Sequence, residues 1–152
     1  MTQVFRDTVQ ALWQRADLGA PSFASDGSAS LIFDDVALTL ANSDDEQALV
    51  VSTELGQLPV DAAGDADRLQ RILGLGLALL PTHDVLVFLQ GDRLTVSGTY
   101  RYASEDVALL ASLLSDVVSA AQTLQGQMGE TIAPRLRPVA RQAADDIMIF
   151  QP

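Results

Sequence analysis

The stretch at residues 66–81, ADRLQRILGLGLALLP, constrains the fold more than any other part of the chain. Leu69, Ile72, Leu73, Gly76, Leu77 and Leu80 recur at helical spacing, so a helix is expected there. Leu75 and Leu79 add apolar surface on a second side, whereas a surface helix needs only one apolar stripe. Asp65 or Asp67 can cap its start by accepting free backbone N–H groups, and Pro81 stops it. Such a rod is roughly 24 Å long. Gly74 and Gly76 each cost about 1 kcal/mol relative to alanine inside a helix, which suggests close backbone approach to another surface. Two arrangements satisfy this pattern, and they are compatible. One is a buried helix covering a sheet; the other is a seam with a second copy of the chain.

A chain of 152 residues, 48% of them hydrophobic, fits one domain with a sizeable core. Nine basic residues, all arginine, stand against 20 acidic ones, for a formal net charge of −11. That balance argues against nucleic acid, whose phosphates demand a positive footprint, and against anionic membrane surfaces. With no cysteine there is neither a disulfide frame nor a thiolate metal site. The N-terminal residues MTQVFRDTVQALW lack the apolar run of a signal peptide. The longest apolar stretch, residues 72–80, is too short for a bilayer core of about 30 Å. A soluble cytoplasmic protein is expected.

Phe5, Val9, Leu12, Trp13 and Ala16 mark an amphipathic helix over residues 3–17, ended by Gly19, Ala20 and Pro21. Residues 30–33 and 36–41 are expected strands around Asp34-Asp35, which fits a tight bend or bulge. Residues 42–47, NSDDEQ, form a polar hairpin loop before a return strand at 48–55. A strand at 85–90 is apolar on both faces, so it is expected to be central or part of an interface. Gly91-Asp92 suits a two-residue hairpin, followed by a well-alternating strand at 93–101. Ser104 is the expected cap of a closing helix, with Glu105 and Asp106 in its first turn and a stripe running from Val107 to Leu124.

The fold class expected is α+β: helix-strand-strand-strand-helix-strand-strand-helix, with an antiparallel sheet flanked by helices. Residues 1–126 make the domain. Residues 127–152 change character, with Pro134, Pro138, three arginines and a terminal Ile147-Met148-Ile149-Phe150, and are expected to be a semi-ordered tail. Its apolar end either docks on its own domain or acts as an interaction peptide.

Chemistry-bearing constellations are sparse. The single histidine, His83, adjoins Asp84, but neighbouring strand residues point to opposite faces and do not make an acid–base pair. Asp44-Asp45-Glu46 lacks the alternating ligands and glycine of a calcium loop. Asp34-Asp35 fits a turn better than a catalytic pair. No nucleophile-elbow pattern is present. No catalytic residue, metal or cofactor is expected; a small metal-dependent enzyme using these carboxylates and His83 is the remote alternative. Trp13 is either core or a partner-binding hot spot.

SASLIFDD with VALTLAN, then EQALVVSTELGQLP, DRLQRILGLGLALLP and VLVFLQGDRLTVSGTYR, closed by a helix beginning at SEDVALL, resemble the class I type III secretion chaperones, the family of the Tir chaperone. The resemblance covers residues 2–125. It implies a homodimeric, ATP-independent, non-enzymatic chaperone that binds an extended N-terminal segment of one or a few secreted effectors and keeps it export-competent. A regulatory or adaptor module of the same fold is the alternative. On this reading Phe5, Val9, Leu12, Trp13, Leu31 and Phe33 supply effector-binding pockets. Leu69, Ile72, Leu73, Gly76, Leu77, Val87 and Leu89 supply the dimer interface.

Overall fold

A computed structural model describes residues 2–57, 70–74, 78 and 85–126. Helix α1 (Gln3–Arg15) begins where the Thr2 hydroxyl accepts the backbone N–H of Phe5 at 3.4 Å. Such a cap satisfies one of the donors that a helix start leaves free. Strands β1 (Ala29–Phe33), β2 (Val36–Asn42), β3 (Ala48–Gln57), β4 (Val85–Gln90) and β5 (Arg93–Arg101) follow. They form one antiparallel sheet in the order β1-β2-β3-β5-β4. Residues 70–74 are helical, and helix α2 (Val107–Gly126) closes the fold. Ala78 is helical too; the rest of the expected central helix and the whole tail at 127–152 lie outside the described residues.

The turns follow from their residues. Phe33 pairs with Val36, leaving Asp34 and Asp35 as a two-residue loop with φ of 48° and 64°. Two positive φ values match the twist of the flanking strands, and aspartate tolerates that region better than most residues. Gly91, at φ 66°, opens the two-residue loop between β4 and β5, where Gln90 pairs with Arg93. In the β2–β3 loop, Asp45 accepts the Ser43 hydroxyl at 2.6 Å and the Gln47 N–H at 3.1 Å. These bonds, the hydroxyl's foremost, hold its carboxyl below the usual carboxylate range. A bulge sits in β3, where Glu54 pairs with Thr95 and Gly56 with Leu94, leaving Leu55 unopposed.

One expectation narrows and one changes. Of the two places expected for β4, central or at an interface, the first is excluded: it is an outer strand, paired only with β5 among the described residues. Apolar residues on both faces of a strand report cover on both faces, and an interface provides that as well as a neighbouring layer does. The cap of α2 is Asp106, not Ser104. Ser104 is drawn into a 3-10 turn, Tyr102–Ser104, after which Glu105 turns the chain at φ 50°. Asp106 Oδ1 then accepts the Ala108 N–H at 2.8 Å, and its carbonyl accepts from Leu109 at 3.0 Å.

The core lies between one face of the sheet and the two long helices. Its fully buried members include Phe5 and Val9 of α1, Leu38, Leu40, Leu49, Val51, Leu94 and Val96 of the sheet, and Leu110, Val117 and Leu124 of α2. By length and composition α2 could cross a membrane, but it buries its apolar stripe, including Leu113, Leu114, Val118 and Ala121, in this core. Gly98 sets how closely α2 approaches. A Cβ there would stand 2.5 Å from Leu113 Cδ1, 3.0 Å from its Cγ and 3.2 Å from Val117 Cγ2. A polar strut ties the other end. The Tyr102 hydroxyl donates to Asn42 Oδ1 at 2.5 Å, and Asn42 Nδ2 donates to Thr2 Oγ1 at 3.3 Å. Burial, with the nearby charge of Glu46, pushes the Tyr102 phenol up to about 12.

Gly98→Val is expected to destabilise the domain by about 1–3 kcal/mol, because β-branched bulk meets α2 in a filled space. Replacing Asp34-Asp35 with Asn-Gly is expected to stabilise it by about 1 kcal/mol, because both positions then suit positive φ without loss of contacts. Urea denaturation measures both.

Candidate functional site: an apolar groove beside an open sheet edge

The end of α1 builds one wall of a groove. Asp17 takes φ 53°, its N–H donates to the Gln14 carbonyl at 3.3 Å, and the Leu18 N–H reaches back to the Trp13 carbonyl at 3.0 Å. This pair of bonds is a Schellman ending, with aspartate where glycine is usual. It places Leu18, 45% exposed, at the rim. Leu12, Arg15, Ala16 and Leu18 form this wall; Leu31, Ile32 and Phe33 of β1 form the second; Ala111, Leu114 and Ser115 of α2 form the third. The enclosed volume is about 320 Å³. Among the described residues lining it, Arg15 is the only charged one.

The groove runs along the outer strand β1. A single bridge between Phe23 and Ala29 covers the start of its outer edge, and beyond it no strand borders β1 among the described residues. Ile32 stands 74% exposed there. An open edge offers a row of main-chain donors and acceptors, and an apolar groove beside it offers burial for alternate side chains. Together they suit an extended peptide segment.

The six residues expected to bind a client separate into two groups. Leu12, Leu31 and Phe33 line the groove. Leu12 at 2% exposed and Leu31 at 8% belong to the core as well and reach the groove only from its floor, whereas Phe5, Val9 and Trp13 are buried and do not line it. Phe5 meets Phe23 edge-on, with ring centroids 6.1 Å apart and planes at 61°. A helical stripe identifies the face that is covered, not what covers it. Sequence reasoning missed Leu18, Ile32 and Leu114. Ile32 carried a usable signal, because the run Leu31-Ile32-Phe33 puts an isoleucine on a face otherwise held by Ser30.

The expected dimer residues are distributed differently. Leu69, Gly76 and Leu77 lie outside the described residues, as do His83 and Asp84. Ile72 is buried, and Leu73, Val87 and Leu89 are half-buried. Val85 pairs with Gly98, which faces α2, so Val85, Val87 and Leu89 share the α2 side of the sheet. Leu86 and Phe88 point to the opposite side, 58% and 40% exposed. Beside Phe88 in the ladder, Thr95 is buried with no hydrogen-bond partner for its hydroxyl. A second cleft of about 350 Å³, lined by Thr99, Arg101, Leu109 and Asp116 among others, opens where β5 runs past β4. Among the described residues no three metal-ligating side chains converge.

An antiparallel sheet with helices against it and an apolar groove beside its β1 edge make an α+β module of the secretion-chaperone type. The chain belongs to the Tir chaperone protein (CesT) family, whose model matches residues 9–125. Its fold is that of several solved complexes. One is the HopA1–SchA chaperone–effector complex, with a TM-score of 0.65, 13% identity and coverage of 81% of this chain and 94% of that one. Another is the Yersinia pestis type III secretion chaperone SycH with a fragment of YscM2, at 0.59, 18%, 79% and 98%. A third is the ExoU–SpcU complex from the type III secretion system of Pseudomonas aeruginosa, at 0.57, 18%, 78% and 96%. No curated protein is similar enough to the chain to count as a match.

Trp13→Ala is expected to cost about 3–5 kcal/mol of stability, the price of an emptied aromatic site in a packed core. Chemical denaturation measures it; an unchanged midpoint would place Trp13 outside the core.

Proposed function

We propose that the protein is a cytoplasmic type III secretion chaperone that holds an extended segment near the N-terminus of a secreted effector. The observation that carries this reading is the groove of Leu12, Leu18, Leu31, Ile32, Phe33 and Leu114 set against the open edge of β1. A client strand adds to that edge by main-chain bonds while alternate side chains enter the groove. Binding is reversible and non-covalent, requires no cofactor, and precedes export. Family membership supports the role, and the similar solved structures include a chaperone–effector complex and a type III secretion chaperone held with a fragment of YscM2. The net charge of −11 keeps such a carrier soluble while its apolar groove waits for a client.

Two copies associate on this reading through the far face of β4. Leu86 and Phe88 stand exposed on an outer strand, an arrangement that a monomer normally suppresses with charge or proline. Of the expected seam residues, Val87 and Leu89 lie on the opposite face of β4, behind this patch, while Ile72 is buried in the core.

Ile32→Arg is expected to reduce retention of a co-expressed secreted effector at least tenfold while leaving the unfolding midpoint unchanged, because Ile32 is a surface residue. Co-purification with candidate effectors encoded near the gene tests this. If no secreted protein is retained by the unmodified chain, the reading fails. Phe88→Arg is expected to convert a dimer to a monomer in sedimentation; a wild-type monomer at micromolar concentration removes the β4 interface.

A further inference from the structure

The groove has a second claimant in the same chain. Gln122 Nε2 donates to the carbonyl oxygen of Asp34 at 3.3 Å, so the last turns of α2 lie against the β1–β2 turn. Phe33, immediately before that turn, lines the groove. The chain therefore leaves Gly126 close to the β1 wall. Residues 127–146 separate that point from Ile147-Met148-Ile149-Phe150. Twenty residues extend to about 66 Å at most, and α2 itself is only about 30 Å long, so this run reaches any part of the groove.

Three features of the segment match the site. As an extended strand, Ile147 and Ile149 share one side and Met148 and Phe150 the other, so apolar groups meet both the groove and the exposed Ile32 beside it. Asp145-Asp146 directly precede the apolar run, and Arg15 is the one charged residue among the described lining. Arg135, Arg137 and Arg141 lie in the connecting run together with Glu130, Asp145 and Asp146, so the run is neutral overall, while residues 1–126 carry 17 acidic side chains against six arginines. The acidic body therefore does not repel the connector as a whole, and its arginines are of the sign that the body attracts.

We propose that residues 147–150 occupy the groove of their own chain as an added strand on β1 and are displaced when a client arrives. This rests on the groove being the client site. A tethered segment has an effective concentration in the millimolar range, so even a weak contact covers the apolar lining, and a tighter client still removes it.

The chain contains no cysteine, so a full-length double variant Ile32→Cys, Ile149→Cys has only the two thiols intended. Treated with a short bismaleimide, it is expected to yield an intramolecular product at least tenfold faster than Leu109→Cys, Ile149→Cys. Leu109 is an equally available control, 54% exposed and lining the other cleft. Adding Arg15→Glu to the first pair is expected to slow the reaction several-fold. Equal rates for the two pairs overturn the proposal, as does a covalent two-chain product, which would give the groove to the tail of a second copy. Absence of the product while Ile32→Arg still abolishes effector retention removes the tail and keeps the client site. A fast intramolecular product while Ile32→Arg leaves effector retention intact keeps the tail in place and removes the client site.

Discussion

Everything in this fold depends on how closely α2 lies on the sheet, and that distance is set at Gly98. The missing side chain lets Leu113 and Val117 settle onto β5, the strand with β3 on one side and β4 on the other. From that contact the stripe Leu110, Leu114, Val118, Ala121 and Leu124 is fixed over the middle of the sheet. With α2 in place, its Ala111–Leu114–Ser115 side becomes the third wall of the groove. Its far end meets the Asp34-Asp35 turn through Gln122. One close approach thus positions both the core and the binding surface.

The two edges of the sheet are left unprotected in different ways. On β1 the edge itself is open, with apolar side chains in a concavity beside it. On β4 the apolar groups Leu86 and Phe88 stand on the flat face turned away from the helices. A concavity by a free edge receives a strand, while a flat apolar face receives another flat face. The division fits one site for an extended client and another for a second folded copy. The buried Thr95 hydroxyl without a partner lies beside Phe88, on the face assigned to the second copy.

Strand positions were legible because alternation and turn residues act over short distances. Residues 85–90 and 93–101 coincide with β4 and β5, and the others differ by one or two residues at an end. Strand order was not legible. The Gly91-Asp92 hairpin puts β4 beside β5, but local pattern does not encode that β5 rather than β4 pairs with β3, which leaves β4 outside. The α2 cap was displaced by two residues because Ser104, a good cap by type, is consumed in the 3-10 turn that follows β5. Half of the residues expected to meet a client border the groove. Leu12, Leu31 and Phe33 line it, but Leu12 at 2% exposed and Leu31 at 8% are about as buried as Trp13, so a helical or strand stripe does not by itself separate lining from core. Leu18 could not be found at all, since its position comes from the turn geometry at Asp17 rather than from any periodicity.

The order of elements along the chain has its own consequence for α2, whose most apolar window has a mean hydropathy of 1.6 over a length sufficient to span a bilayer. All five strands precede it, so during synthesis the surface it needs is already outside the ribosome when the helix emerges. A permuted chain that began with this helix would present it to insertion machinery first, with nothing to shelter it. Placing this helix after every described strand lets a segment with the composition of a membrane anchor end up as the keel of the domain.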